Sequence, residues 1–197
     1  MARAIDILRD EHLVILRVLG SLEAFVVKID RGIEGERAFL ADYVTFLHNF
    51  ADKCHHGKEE DILFERMLSY GFPEKVGPLA VMRREHALGR EHLSVLASVT
   101  QGSSPFSRRE METVRNHALA YINLLRTHIM KENNLLYPMA LGAIPGSEME
   151  TLAAEFDKFE EREMSPGRHE RLHVLADHLV AAFPSDPTNV SPGPGCW

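Results

Sequence analysis

Residues 55–65 read HHGKEEDILFE and residues 128–138 read HIMKENNLLYP, and these two stretches decide the fold. They align without a gap, histidine on histidine and glutamate on glutamate. In each stretch the glutamate follows the histidine by four residues, which places both side chains on one face of an α-helix. The two pairs are His55 with Glu59 and His128 with Glu132.

The match between the two halves of the chain extends to a second pair of helices. The triplet DEH at 10–12 aligns with REH at 84–86, and 74 residues separate His12 from His86. The His-x-x-x-Glu pairs are 73 residues apart. The sequence therefore predicts a duplicated helix pair and a bundle with pseudo-twofold symmetry.

Apolar residues recur every three or four positions along four stretches, the pattern of amphipathic helices. Glycine and proline separate these stretches, and the second is predicted to run from 36 to 69. Four long helices with short connections predict an all-α, up-down-up-down four-helix bundle. Positions expected to face the core include Leu47, Ile62 and Leu135.

Composition divides the chain into three parts. We predict the bundle over 1–146 and a helical extension over 147–183, which either packs outside the bundle or reaches a partner subunit as a homodimer contact. Residues 184–197 are rich in proline, glycine and serine and are predicted to be disordered.

Composition also excludes several classes of protein. The 197 residues carry a net charge of −7 with no basic stripe, which argues against nucleic-acid binding. No apolar run is long enough to span a membrane, and the charged N-terminus does not resemble a signal peptide. Two cysteines are too few for a disulfide framework, so we expect a cytoplasmic protein. The 11 histidines are unusually many.

Four histidines on four apolar helix faces, two of them paired with glutamates, predict a metal centre. Buried without metal, these groups would each need a polar partner, because an unpaired buried charge costs several kcal/mol. Nitrogen and carboxylate ligands around two ions suit iron or manganese better than structural zinc. The predicted ligands are His12, His55, Glu59, His86, His128 and Glu132.

The motifs DEH, CHHGKEEDILF, VMRREHALGR and HIMKENNLLYP resemble those of hemerythrin-like (HHE) cation-binding proteins over about residues 1–142. The set of four histidines and two glutamates resembles the bacterial repair-of-iron-centres proteins and other bacterial HHE proteins more than the oxygen-carrying hemerythrins. The resemblance implies a four-helix bundle that holds two non-haem iron ions joined by an oxo or hydroxo bridge, with the six residues above as ligands.

The sequence departs from the oxygen-carrying hemerythrins at two places. Those proteins have a fifth histidine on the third helix and an aspartate on the fourth, where this chain has Met82 and Glu132. Each iron should then keep one open position. We therefore expect binding and reduction of O2, NO or peroxide, or iron handling in oxidative or nitrosative stress. The alternative is a non-catalytic oxygen or iron sensor or storage module that acts through a protein partner.

Other polar residues near the motifs have two interpretations each. The gap-free alignment favours His55 and Glu59 over their neighbours His56 and Glu60, which are expected to face an adjacent helix or solvent. His48 and Tyr121 either line an access route to the metals or are hydrogen-bonded core groups. A surface zinc site or a solvated helix face is open for His169, His173 and Asp177.

Overall fold

A computed structural model of the chain describes residues 3–103, 105–165 and 167–185. Within these residues the chain is helical and contains no strand. The predicted tail lies outside the described residues except for positions 184 and 185. The six helices are α1 (Arg3–Lys28), α2 (36–69), α3 (Gly77–Thr100), α4 (108–143), α5 (Gly146–Glu163) and α6 (Arg168–Ala182).

Helices α1 to α4 form the predicted four-helix bundle, and short connections with clear local causes join them. Gly32 and Gly35 make the turn between α1 and α2 with φ angles of 73°, a conformation that glycine adopts without a steric penalty. Ser107 caps α4 by accepting a hydrogen bond from the Glu110 amide, while the Glu110 side chain returns the contact. The all-α bundle predicted from the sequence is confirmed.

Helices α2 and α4 change geometry where they carry the His-x-x-x-Glu pairs. Helix α2 is a π-helix over Leu47–His56 and again over Glu59–Leu63. Helix α4 is a π-helix over Glu132–Leu136. A π-helix bonds i to i+5, so each turn contains more residues than an α-turn, and such segments often mark functional sites.

The π-helical turns explain why the prediction that Leu135 faces the core is wrong. Leu135 was expected to face inward, yet it is 54% exposed, and Leu136 is buried in its place. The matching change in α2 buries Leu63 and leaves Ile62 partly exposed. The wider turn moves the inward face on by one residue, which a period of 3.6 residues cannot anticipate.

Two hydrophobic clusters fill the bundle, one towards each end. The first cluster contains Phe25, Phe50 and the buried apolar residues of α4 between Val114 and Ile129. The second cluster contains Leu8, Phe64 and Tyr137. On α1, α2 and α3 the predicted metal ligands lie between the residues of the two clusters, and on α4 Glu132 does so while His128 lies next to Ile129 at the edge of the first cluster. The polar centre is therefore enclosed by apolar side chains on both sides.

Helices α5 and α6 pack against the outside of the bundle, which is one of the two alternatives predicted for the extension. Ser21 donates a hydrogen bond of 2.8 Å to the Leu179 carbonyl on α6, and Arg17 donates one of 2.7 Å to Asp177. A homodimer through this extension stays a prediction. Among the described residues, no helix has the length and apolar character needed to cross a membrane.

Candidate metal centre

The structure brings the six predicted ligands together halfway along the bundle. Helix α1 supplies one histidine, α2 a histidine and a glutamate, α3 one histidine, and α4 a histidine and a glutamate. Each of these residues is at most 1% exposed. The convergent side chains are His12, His55, Glu59, His86, His128 and Glu132.

The histidines fall into two pairs, which form two candidate metal positions. His12 and His55 form the first position, with ring centroids 4.5 Å apart. His86 and His128 form the second position, with Nε2 atoms 2.9 Å apart. Two imidazole nitrogens this close repel each other unless a proton or a cation lies between them.

Each glutamate approaches histidines of both positions. Glu59 Oε2 lies 3.8 Å from His55 Nε2 and 3.5 Å from His86 Nε2. The Glu132 carboxylate lies 3.2 Å from His12 Nε2 and 2.9 Å from His128 Nε2. A carboxylate in this place can contact a cation in either position.

The other ring nitrogen of every ligand histidine faces an oxygen acceptor. This arrangement fixes the ring orientation and leaves Nε2 for a metal. Carboxylates serve three of the four histidines and a side-chain amide serves the fourth. The Nδ1 atoms contact Asn133 at 3.2 Å (His12), Glu11 at 2.8 Å (His55), Glu60 at 2.7 Å (His86) and Glu85 at 3.0 Å (His128).

Sequence analysis missed these acceptors, although the internal alignment contained the signal. The alignment that matches the ligands also places Glu11 on Glu85 and Glu60 on Asn133. It matches Lys58 with Lys131 as well, and these lysines bind Glu11 and Glu85 respectively. The duplication therefore extends from the ligands to the residues that orient them.

His56 faces an adjacent helix, which is one of the two surroundings predicted for it. Glu60 also faces α3, and His56 is buried in the centre. Its ring stacks on the His86 ring at 3.8 Å between centroids, with 14° between the planes. The π-helical turn at Leu47–His56 brings both neighbouring histidines inward.

The orientation of His56 bears on whether it can bind metal. Its ring, Glu59, His86 and His128 offer ligand atoms within 4.8 Å of one another. A ring nitrogen binds metal through a lone pair in the ring plane, so two stacked rings cannot both point at one ion. In this conformation His56 therefore packs against a ligand histidine.

Several buried atoms of the centre lack a hydrogen-bond partner among the described residues. They are His55 Nε2, His56 Nδ1, Glu59 Oε2 and both carboxylate oxygens of Glu132. Polar atoms are seldom left so in a protein interior, because the cost is about 1–3 kcal/mol each. Two cations bound between the His55, Glu59 and Glu132 atoms would satisfy these atoms, so the residues present fit a two-metal centre, whereas His56 Nδ1 lies 3.5 Å from Asp52.

The protonation of Glu59 and His128 also fits a site for cations. Burial and the nearby Glu132 raise the pKa of Glu59 well above its usual range. Burial opposes a charged His128, but Glu132 and Glu85 outweigh it and raise the pKa of His128 to about 9. Without a cation, protons on these groups therefore balance the buried charge, and a bound metal would release them.

His48 and Tyr121, which lie seven residues before His55 and His128, have different surroundings. His48 is half-exposed at a surface pocket of about 350 Å³, which Asp52 and Arg90 also line. Tyr121 is fully buried, and its hydroxyl has no hydrogen-bond partner among the described residues. Neither residue contacts a predicted metal ligand through a hydrogen bond.

Of the two alternatives for His169, His173 and Asp177, the zinc site is not supported, because these three are not among the groups of described residues that could hold a metal ion. Asp177 pairs with Arg17 on α1, whereas His169 lies 3.6 Å from Glu160 on α5. Cys54 also lies near Glu160, and burial raises the pKa of its thiol to about 12. A thiol with so high a pKa stays protonated, which supports a packing role for Cys54.

Comparison with known proteins identifies the family. Iron-sulfur cluster repair proteins YtfE from Citrobacter koseri and Salmonella newport are 35% identical over 104 residues, covering 52% of this chain. The match covers 47% of each relative, so the chain spans about half the length of these relatives. No solved structure matches the chain. The hemerythrin HHE cation binding domain matches residues 3–140, and the chain therefore belongs to the hemerythrin HHE family.

Proposed function

We propose that this chain is a non-haem di-iron protein that binds small oxidants such as O2, NO or peroxide. It reduces them, or it handles iron under oxidative or nitrosative stress. We place this chemistry in the cytoplasm, in line with the low cysteine content. The proposed iron ligands are His12, His55, Glu59, His86, His128 and Glu132.

The placement of the two carboxylates carries this proposal. Glu59 and Glu132 each lie within 4 Å of a histidine nitrogen from both metal positions. A carboxylate between two cations can bridge them, and two-metal centres have the ions about 3.5–4 Å apart. This supports a paired centre over two separate mononuclear sites.

The chain's own residues prepare the centre for redox chemistry. Carboxylate partners on Nδ1 make the histidines stronger donors, which favours an oxidised metal. Tyr137 donates a 2.7 Å hydrogen bond to Glu59 and holds a proton beside the first position. The apolar clusters exclude bulk water from both ends. Iron bound here would supply the electrons that reduce a small oxidant.

Met82 supports reduction over reversible oxygen carriage. It is buried in the second hydrophobic cluster, with Leu8 and Phe64, one helical turn before His86. A thioether is a poor ligand for iron among oxygen and nitrogen donors, so α3 contributes one imidazole only. The YtfE relatives are iron-sulfur cluster repair proteins, and this supports iron chemistry for the present chain.

Metal analysis and the visible spectrum of freshly purified protein test the di-iron assignment. We expect about two iron atoms per chain from iron-replete cells, because six ligand-type side chains converge on one layer. One zinc per chain with no iron would refute the assignment.

Stopped-flow mixing of the reduced protein with O2 tests the reaction. We expect oxidation that persists after O2 is removed. Repeated recovery of the reduced spectrum on degassing would mean reversible carriage and would overturn the proposed reduction.

One chain of contacts favours the alternative, a non-catalytic oxygen or iron sensor. His55 contacts Glu11, Glu11 pairs with Lys58, and Lys58 Nζ lies 3.1 Å from Glu160 on α5. A change at the first position can thus reach the C-terminal helices. A sensor should show different hydrogen exchange in α5 and α6 when oxidised and reduced, without multiple turnovers of peroxide or NO.

A further inference from the structure

We propose that the two metal positions are unequal and that Asn133 and Tyr137 make the first position the weaker one. This inference rests on the proposed two-metal centre. It adds which ion is held more firmly and which one exchanges. The argument compares residues that occupy equivalent places in the two halves of the bundle.

At the second position, a carboxylate faces the Nδ1 atom of each histidine. Glu60 lies 2.7 Å from His86 Nδ1, and Glu85 lies 3.0 Å from His128 Nδ1. A carboxylate that accepts the Nδ1 proton's hydrogen bond raises the basicity of the ring and strengthens its bond to a metal. Both rings of this position therefore act as strong donors.

The first position has an amide where the second has a carboxylate. Asn133 Oδ1 lies 3.2 Å from His12 Nδ1, and it is the aligned counterpart of Glu60. A neutral amide oxygen accepts a weaker hydrogen bond than a carboxylate does. His12 is therefore the weakest donor among the four histidines.

The cations around the carboxylates increase the difference. Lys58, which pairs with Glu11 behind His55, is completely buried. The cations that pair with Glu60 and Glu85 are Arg90 and Lys131, and both are partly exposed to water. Water screens an exposed charge more than a buried one, so Lys58 offsets more of its partner's charge.

Tyr137 weakens the first position from the opposite side. Its hydroxyl donates to Glu59 Oε1 at 2.7 Å and lies 3.4 Å from His12 Nε2. A hydrogen bond donated to a carboxylate competes with a metal for the same lone pairs. The aligned residue in the other half is Phe64, which stacks near His86 and has no hydroxyl.

We therefore expect metal to fill the second position first and to leave the first position first. Outer partners of metal-binding histidines typically change metal affinity 10–100-fold. The two binding steps should thus differ by about tenfold or more. An exchangeable ion beside a tightly held one would suit iron handling and would place the incoming small ligand next to Tyr137.

Anaerobic titration of the metal-free protein with Co²⁺, followed by visible absorption and calorimetry, tests the proposal. The wild-type chain should bind two equivalents in two separate steps. Asn133→Asp supplies a carboxylate of the same shape and should strengthen the weaker step about tenfold. Glu60→Gln should instead weaken the stronger step.

Asn134→Asp is the matched control, because Asn134 is exposed and points its amide at the Met130 carbonyl. It adds the same charge one residue away and should change neither step. Two indistinguishable steps in the wild-type chain would overturn the inequality. An effect of Asn133→Asp no larger than that of Asn134→Asp would overturn the role of Asn133.

Tyr137→Phe separates an electronic role from a merely structural one. We expect it to strengthen the weaker step more than the stronger one, because the Tyr137 hydroxyl lies 3.4 Å from His12 Nε2 of the first position whereas Glu59 approaches both positions. Weakening of both steps would overturn the role given to Tyr137. Uptake of fewer than two equivalents by wild-type protein would overturn the proposed di-iron function together with this inference, whereas two equal steps would leave that function standing.

Discussion

The two halves of the metal centre share one plan but have different surroundings. In the first half Lys58 is 0% exposed, and in the second its counterpart Lys131 is 30% exposed. Gly57 packs against Phe159 of α5, whereas its counterpart Met130 is 43% exposed. Helix α5 covers Gly57 and Lys58 in the first half, whereas their counterparts Met130 and Lys131 in the second half are reached by solvent. Duplication thus explains the common chemistry, and the extension explains why Lys58 and Gly57 differ from their counterparts in burial.

The comparison teaches which differences follow from packing and which concern the metals. Gly57 differs from Met130 because α5 leaves no room for a side chain. Asn133 differs from Glu60 although both contact a ligand histidine, so packing against α5 does not account for it. The following experiments perturb features that the halves share and then features in which they differ.

The largest effect should come from the two glutamates that belong to both halves. Glu59→Ala and Glu132→Ala should each reduce iron from about two atoms per chain to well below one, because each carboxylate serves both positions. Glu60→Ala and His56→Ala should retain more iron, since neither residue is a proposed ligand. Iron per chain after identical purification measures this. Equal losses from His56→Ala and His55→Ala would show that His56 is a ligand.

Metal removal should produce the next largest effect, on thermal stability. A metal that binds only the folded chain stabilises it by about 4 kcal/mol at a thousand times its dissociation constant. For a chain of this size the thermal midpoint should then fall by roughly 8–16 °C on chelation. Proton uptake by Glu59, whose pKa is raised by burial and by Glu132, makes the loss smaller. Calorimetry measures the thermal midpoint with and without metal. An unchanged midpoint would mean that no buried centre binds metal between the helices.

Lys58 and Lys131 test how burial changes the contribution of a lysine–glutamate ion pair to the unfolding free energy. Burial alone would raise the pKa of Glu11, yet contacts with His55 and Lys58 lower it to about 2. Lys58→Met leaves Glu11 with a buried charge and should cost about 3 kcal/mol of unfolding free energy. Lys131→Met breaks a pair that water reaches and should cost under about 1 kcal/mol.

Urea denaturation of both lysine variants in the metal-free state measures these costs without a contribution from metal. Similar losses from the two variants would mean that α5 does not isolate the first half from solvent. A loss confined to Lys58→Met would instead support the difference between the halves.

The sequence predicted the bundle and the convergence of six side chains because both depend on spacing along single helices. A stripe of apolar residues gives each helix its inward face, and the gap-free alignment selects His55 over His56. These inferences need no knowledge of how the helices pack. The burial of all six residues in the structure agrees with them.

Two features could not be predicted because they depend on backbone geometry or on distant contacts. The π-helical turns move the core position from Leu135 to Leu136 and turn His56 inward, and no residue type marks such a turn. The burial of Lys58 depends on Glu160, which is 102 residues away. By contrast, the partners Glu11 and Glu85 lay within the aligned motifs and could have been found there.

The smallest effect, and the most local test of the covered half, comes from two helical glycines. Replacing a helical glycine with alanine usually stabilises by about 0.5–1 kcal/mol, because glycine loses more backbone freedom on folding. Gly142 should follow this rule, since nothing lies within 4 Å of an added Cβ. Gly57 should not, since an added Cβ would lie 2.6 Å from Phe159 Cζ.

Phe159 is buried against the bundle, so its ring can yield only by moving α5 or by leaving its place. Overpacking of this kind costs about 1–3 kcal/mol, which exceeds the gain in backbone entropy. We therefore expect Gly57→Ala to lower the unfolding free energy by about 1 kcal/mol, while Gly142→Ala raises it. The double variant Gly57→Ala with Phe159→Ala should recover the favourable effect of alanine relative to Phe159→Ala alone. Stabilisation by Gly57→Ala in the otherwise unchanged chain would mean that α5 does not press on the first half of the centre.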